Sequence, residues 1–241
     1  MPGHSFCGSH VQRRAIRPRA ASLLLLLVLC AGWTGPTANG QHATHTESAV
    51  VYSVVYRGFE GLPQDRDTPD VTVLRWVNRR TAPVFTHWMS LADASFYPTV
   101  YASVPVWWGV AYTTDLVSTT EAMAYTAGWL ATAGSTILLK RLIGRERPFV
   151  SHSDLVIRYT EAELDALGRR ASMPSGHSSM SAFTATFLVL KVSNPIIRAG
   201  SALWASSVAV SRVWNGVHFP SDTVAGFALG TGLAVLTGQF D

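Results

Sequence analysis

The sequence predicts an all-α fold, a bundle of five or six helices embedded in a membrane, on three observations. Charged residues make up 14% of the 241-residue chain and hydrophobic ones 48%, where ordinary soluble domains carry ~25% charge. Uncharged runs of helical length recur along it, rich in Ala, Leu, Met and Ser. Strict alternation of apolar and polar residues, which marks half-buried strands, is missing. No internal repeat is visible, and the Gly and Pro residues follow no period, so neither a solenoid nor a low-complexity chain fits.

The first forty residues read as an address. Arg13, Arg14, Arg17 and Arg19 precede the apolar run from Leu23 to Leu29, and small and turn-forming residues follow to Gly40. A basic segment, a short apolar stretch and a small-residue site make a secretory signal peptide over 1–40, cleaved to expose Gln41. The run from Ala20 to Trp33 is short for a spanning helix. Cys7 and Cys30 both lie in this segment. The mature chain then has no cysteine, which excludes disulfides, thiolate metal sites and cysteine nucleophiles. Residues 41–70, polar and interrupted by Gly58, Gly61, Pro63 and Pro69, form an N-terminal arm ahead of a helical domain over 71–241.

Within that domain the helices come in order. Ala94–Thr114 gives 21 residues without formal charge, and Ala122–Leu139 and Thr223–Phe240 give 18 each. Ser178–Leu190 and Ala199–Ser211 are shorter runs of 13, divided at Asn194-Pro195, a natural break between helices. The polar stretch Phe149–Met173 reads as a surface excursion between helices. If Gln41 is exported and all five runs cross a bilayer, loops 140–177 and 212–222 emerge together on the exported side. That places the protein in the cell envelope, in the membrane with its site on the periplasmic or outer face; the alternative is a soluble periplasmic bundle.

A pI of 9.3 and a net charge of +4 do not make this a nucleic-acid partner. The four signal arginines account for the excess: without them, 15 basic residues face 15 acidic ones, and no basic stripe remains to release counterions.

Three stretches carry chemistry. Lys140-Arg141-Leu142-Ile143-Gly144-Arg145-Glu146-Arg147-Pro148 closes an apolar helix. Lys140 and Arg147 are two helical turns apart, so both face one point if the helix persists; a merely dipole-complementing helix end reads the same. In Pro174-Ser175-Gly176-His177 a helix begins with unpaired N–H groups that suit an anion, Gly176 allowing close approach; a plain helix start is the alternative. In Ser211-Arg212-Val213-Trp214-Asn215-Gly216-Val217-His218-Phe219-Pro220-Ser221-Asp222, Pro220 opens the last helix, with His218 just outside and Asp222 inside. A carboxylate four residues on can accept the Nδ1 proton of His218 and leave Nε2 as nucleophile, although such pairs also serve as surface caps.

Together and in this order, Lys-x6-Arg-Pro, Pro-Ser-Gly-His and Ser-Arg-x5-His-x3-Asp resemble the three-part signature of the type 2 phosphatidic acid phosphatase (PAP2) superfamily. That superfamily also holds bacterial nonspecific acid phosphatases and vanadium haloperoxidases. Every signature position matches. The resemblance implies a helical bundle of that type and a phosphatase that hydrolyses a lipid phosphate or diphosphate monoester without cofactor or metal, through a phosphohistidine. It assigns His218 as nucleophile, Asp222 as its orienter and His177 as the acid and base for the leaving alcohol and the water. Lys140, Arg147, Arg212, Ser175 and Gly176 would cradle the phosphoryl oxygens. Elementary chemistry agrees: phosphoryl transfer needs charge stabilisation, an in-line nucleophile and a proton donor.

The remaining histidines after residue 40, His42, His45, His87 and His152, match no motif position, and Trp214 is the one tryptophan near enough in sequence to suspect of lining the site. Competing functions are a soluble acid phosphatase of broad specificity, a vanadium haloperoxidase, for which the chain is short, and a non-catalytic membrane scaffold, which has no need for two such histidines among three cations. The partners expected are a phosphomonoester substrate and a membrane, with no nucleic acid.

Overall fold

The structure, a computed structural model, describes residues 68–239. The signal peptide, His42, His45 and all of the arm up to residue 67 lie outside the described residues.

Every described element is helical. Prolines and caps set the starts. Pro69 opens α1 (Pro69–Asn78) behind a Thr68 cap, Pro83 opens α2 (Pro83–Ala94), and α3 (Phe96–Thr113) follows after Ser95 alone. A Ser118–Glu121 capping box starts α4 (Thr119–Ile143), which ends on Gly144 at φ 59°, a left-handed geometry that glycine adopts without steric cost. The short α5 (Pro148–Ser151) and α6 (Glu161–Leu167) follow. Then come α7 (Gly176–Lys191) behind Ser175, α8 (Pro195–Trp214) behind Asn194, and α9 (Pro220–Thr237). The five uncharged runs therefore become α3, α4, α7, α8 and α9. The two 13-residue runs grow to helices of 16 and 20 residues because polar flanks such as Gly176-His177 and Arg212–Trp214 continue the helical turn.

Helix α7 is the axis of the bundle. It packs on α9, α8, α4 and α3, and Ser178, Ser179, Met180, Ser181, Ala182, Phe183, Thr184 and Ala185 are all buried. Small side chains make this possible. A Cβ at Gly226 of α9 would strike the backbone of Ser175, and one at Gly230 would lie 2.8 Å from the carbonyl carbon of Ser179, so the two helices meet backbone to backbone. Away from that seam, Trp107, Tyr125, Phe183 and Phe187 interlock, with ring centroids 5.0 to 5.3 Å apart around Tyr125. The buried Tyr125 hydroxyl donates to Ser103 at 2.6 Å, so its one polar atom is satisfied. A second cluster joins Phe96 and Val100 of α3 to Met180 and Val208.

Among the described residues, no helix is long and apolar enough to cross a membrane. Helix α7 has only 16 residues, and in α4, α8 and α9 the same packing is part of the reason, because their inward-facing Ser, Thr and Gly lower the mean hydropathy. Large apolar side chains still cover the outside, as at Leu130, Ile137, Leu138 and Leu142 of α4 and Ile196 and Leu203 of α8.

Candidate active site

The three motifs meet at one end of the bundle, and each arrives by a different device. Lys140 stands in the last turn of α4. The helix does not persist to Arg147, as the two-turn spacing supposed, because Gly144 turns the chain out of it. Instead the chain folds back and pairs with the far end of the 149–173 stretch, Arg147 N donating to Arg169 O at 2.9 Å and Ser172 N to Arg145 O at 3.1 Å. That pairing returns Arg147 to the neighbourhood of Lys140. Arg147 is 3% exposed, and its guanidinium donates to Gly168 O, Leu167 O and, through Nη1, Val217 O at 2.8 to 3.0 Å.

The same Nη1 lies 3.0 Å from Nε2 of His218. A guanidinium only donates, so Nε2 contributes its lone pair and the ring proton belongs on Nδ1. Nδ1 faces Oδ2 of Asp222 at 3.5 Å and closes no hydrogen bond of good geometry. Asp222 is fully buried and held by three other donors: Arg145 Nη1 at 2.7 Å, Ser172 Oγ at 2.5 Å and Phe219 N at 2.9 Å. Its own backbone oxygen accepts from Ser175 N at 2.9 Å, which ties the second motif to the third.

Ser175 is buried and its Oγ accepts from the hydroxyl of Ser178 at 3.1 Å. The first N–H groups of α7 have no intrahelical acceptor. A Cβ at Gly176 would meet Thr136 and Lys140 at 3.7 and 3.9 Å, ordinary contact distances, so crowding among side chains does not by itself demand glycine there. His177, half-buried, stacks on Phe96 at 3.8 Å between centroids and meets Tyr97 edge-on at 5.2 Å. Lys140 Nζ donates to the carbonyl of Ala171 and, at 3.4 Å, to that of Ser172. Arg212, 1% exposed, pairs with Asp93 at 2.5 Å and donates to the Tyr159 hydroxyl.

Burial and crowded cations act on the histidines in one direction. His218 is held well below the usual 6.5, by desolvation first and then by Arg147, Lys140 and Arg212, with the Ser172 backbone opposing. His177 is likewise held well below 6.5 by desolvation, then Arg212, His218, Arg147 and Lys140. Burial, followed by Arg212, brings Arg147 down to about 10. Each histidine is thus neutral at neutral pH and Arg147 and Arg212 stay charged, while burial, followed by Arg147, brings Lys140 down to about 7, so that it is only partly protonated there. The chemistry such a set performs on its own is to receive a multiply charged anion.

Several side chains in the site carry no motif signal. Arg145 donates to Asp222, to Ser221 Oγ at 2.6 Å and to Asp70 at 2.8 Å, and lies over the Phe219 ring. Asp70, at the edge of the arm, belongs to α1 and also accepts from Ser221 N. Ser172, Asp93 and Tyr159 hold Asp222 and Arg212. The 149–173 stretch is more than a surface excursion: Phe149, Leu155 and Leu164 are buried, and its 167–172 carbonyls bind Lys140 and Arg147. Trp214 packs instead of lining the site, buried under Arg158 at 3.9 Å and donating to Arg80 O. His87 bonds its own helix at Pro83 O, and His152 is buried beside Ser151 and Phe219.

A cluster of cations, with two neutral histidines and a carboxylate behind one of them, thus stands at one end of an all-helical bundle. Residues 121–240 match the PAP2 superfamily model, and the chain belongs to that superfamily. Among curated proteins it is 38% identical over 101 residues to the lipid A 1-phosphatase of Rhizobium etli, covering 42% of this chain and 41% of that one. It is 31% identical over 104 residues to the decaprenylphosphoryl-5-phosphoribose phosphatase of Mycolicibacterium smegmatis, covering 43% of this chain and 51% of that one. The chain therefore matches about half or less of these relatives' length. In fold it is similar to Aquifex aeolicus LpxE, with a TM-score of 0.57 at 20% identity over 74% of this chain and 99% of that one. A transmembrane PAP2 type phosphatidylglycerolphosphate phosphatase from Bacillus subtilis gives a TM-score of 0.53 at 21% identity over 92% and 95%.

Proposed function

We propose that this protein is a phosphatase of the cell envelope that removes a phosphate monoester from a lipid through a phosphohistidine on His218. The observation that carries the reading is the contact between Arg147 and Nε2 of His218, inside a cluster where neither Lys140 nor Arg147 touches a carboxylate among the described residues. A phosphoryl group entering this cluster takes over the donors of Arg147, Lys140 and Arg212 and frees the Nε2 lone pair. Nε2 then attacks phosphorus as the ester P–O bond breaks, and His177, protonated, gives its proton to the leaving alcohol. The bound dianion offsets the positive field that otherwise keeps His177 neutral. In the second step His177 takes a proton from water as the water oxygen attacks phosphorus, the P–N bond breaks, and phosphate leaves with His218 neutral again.

Asp222 and the Nδ1 proton support the cation that forms on His218, as in a nucleophile backed by a carboxylate. A lipid substrate is supported by the names of the relatives, one of which acts on a phosphate carried on ribose. It is supported as well by the apolar side chains exposed along α4 and α8. We place the protein with that surface against lipid and the site facing the exported side.

The test is phosphate release from lipid A, dioleoyl phosphatidate and p-nitrophenyl phosphate, with EDTA present, by the full chain and by His218→Ala. The expected result is EDTA-resistant release from a lipid that His218→Ala abolishes, with a ³²P-labelled, acid-labile enzyme species in the wild type. Equal rates on the lipids and on p-nitrophenyl phosphate would replace the lipid reading with a broad-specificity phosphatase. Activity surviving His218→Ala would overturn the mechanism.

A further inference from the structure

The acid histidine is continuous with an exposed aromatic row that the phosphate cradle does not use. From His177 the row runs to Tyr97, whose ring stacks on Tyr101 at 6.1 Å with 9° between the planes, and Tyr101 in turn meets Trp129 at 5.9 Å. Tyr97 is 53% exposed and Tyr101 60%, and neither hydroxyl hydrogen-bonds a described residue. We infer that Tyr97 and Tyr101 form the subsite for the leaving group, and that this group is a sugar: the substrate is a glycolipid bearing phosphate on a sugar hydroxyl. The inference rests on the proposed function and adds the class of alcohol released.

Position makes the first argument. His177 must touch the oxygen of the departing alcohol, so whatever that oxygen belongs to lies against the side chains around His177. Phe96 covers one face of the imidazole, and Tyr97 is the exposed neighbour that remains. Chemistry makes the second. An acyl chain or the bilayer needs only apolar area, which the outer surface elsewhere supplies with aliphatic residues such as Leu130, Ile137 and Leu138. Here the exposed residues pair ring faces, which stack on the C–H face of a sugar, with phenolic O–H groups that bond its hydroxyls.

The experiment compares kcat/KM on lipid A, a phosphorylated glycolipid, with that on dioleoyl phosphatidate, which has no sugar. The full chain is assayed in the same mixed micelles as wild type, Tyr101→Leu, Tyr101→Phe and Tyr97→Leu. The ratio of the two substrates should fall about fivefold in Tyr101→Leu, the scale of one aromatic stacking contact, and by less in Tyr101→Phe, which keeps the ring. An unchanged ratio, an equal fall on both lipids, as for a lipid-surface anchor, or a wild type active on phosphatidate and inert on lipid A would each overturn the subsite. A wild type inert on both lipids and active on p-nitrophenyl phosphate would overturn the lipid reading instead. The sugar subsite is then read from glucose 1-phosphate against glycerol 1-phosphate, and loss of that preference in Tyr101→Leu sustains it while no preference sinks it.

Discussion

At the scale of single residues, the site is governed by how its charges are shared. In the proposed mechanism His218 must be neutral to attack, and burial, followed by the surrounding cations, holds it neutral well below pH 6.5. The acid limb of kcat/KM therefore belongs below 6.5, and a pH–rate profile with an acid limb above that value would contradict the assignment. The same shifts bear on stability. Both histidines take up a proton more readily in the unfolded chain, so the folded state holds its advantage above about 6.5 and loses it as pH falls from there towards the folded-state values. Chemical denaturation between pH 7 and 5 should show stability falling by up to ~1.4 kcal/mol per pH unit per histidine, and His177→Ala should flatten the slope. Arg145 offers the complementary test. It draws part of the Asp222 charge away from His218 and fixes the carboxylate at 2.7 Å. Arg145→Met should lower kcat by ~10- to 100-fold, the usual consequence of a misplaced catalytic group. Because no guanidinium would then offset the Asp222 charge beside His218, the acid limb should also move to higher pH. A loss of kcat with no movement of that limb would reduce Arg145 to a structural role.

At the scale of elements, the relation between α7 and α9 brings His177 to His218, and two glycines set it. A Cβ at Gly230 would meet the backbone of Ser179 and of Phe183, neither of which is a flexible side-chain end. Gly230→Ala should therefore destabilise the protein by ~1–3 kcal/mol through overpacking and reduce activity with it. Gly232, two residues on and exposed, has nothing within 4 Å of such a Cβ. Gly232→Ala should stabilise by roughly 0.5–1 kcal/mol, since alanine is the better helix former. Thermal melts of the pair would refute the close seam if both changes had the same sign. These elements also explain what the sequence could and could not disclose. The five uncharged runs, the helix start at Pro220 and the residues Lys140, Arg147, His177, Arg212, His218 and Asp222 are legible because helical periodicity and short motifs are local. Arg145, Asp93 and Tyr159 are not. Arg145 finds Asp222 77 residues away and Asp70 75 away, and Asp93 finds Arg212 119 away, so their partners exist only after folding. The 149–173 stretch misleads for a related reason. Its polar composition suggests solvent, whereas its backbone carbonyls are the groups that bind Lys140 and Arg147.

At the scale of the whole molecule, the helical frame spends stability on gathering positive charge. Arg212 is paired with Asp93, and Asp222 with Arg145, whereas among the described residues Lys140 and Arg147 contact carbonyl oxygens and the lone pair of His218 but no carboxylate, and feel Asp222 only at a distance. The repulsion among these cations is what an oxyanion relieves, so binding and folding are linked. Orthovanadate, a tetrahedral phosphate mimic, should raise the melting temperature. At one hundred times its Kd the gain is ~2.7 kcal/mol, or roughly 5–10 °C for a domain of this size. The effect should grow as pH falls towards 6, because the bound dianion makes protonation of His177 easier and each equilibrium favours the other. Lys140→Met should remove most of the shift, and chloride at matched ionic strength should not reproduce it, which separates site binding from general screening. A melting temperature indifferent to vanadate at every pH would mean that the clustered cations are satisfied by the protein itself, and the case for a phosphoryl cradle would fall with it.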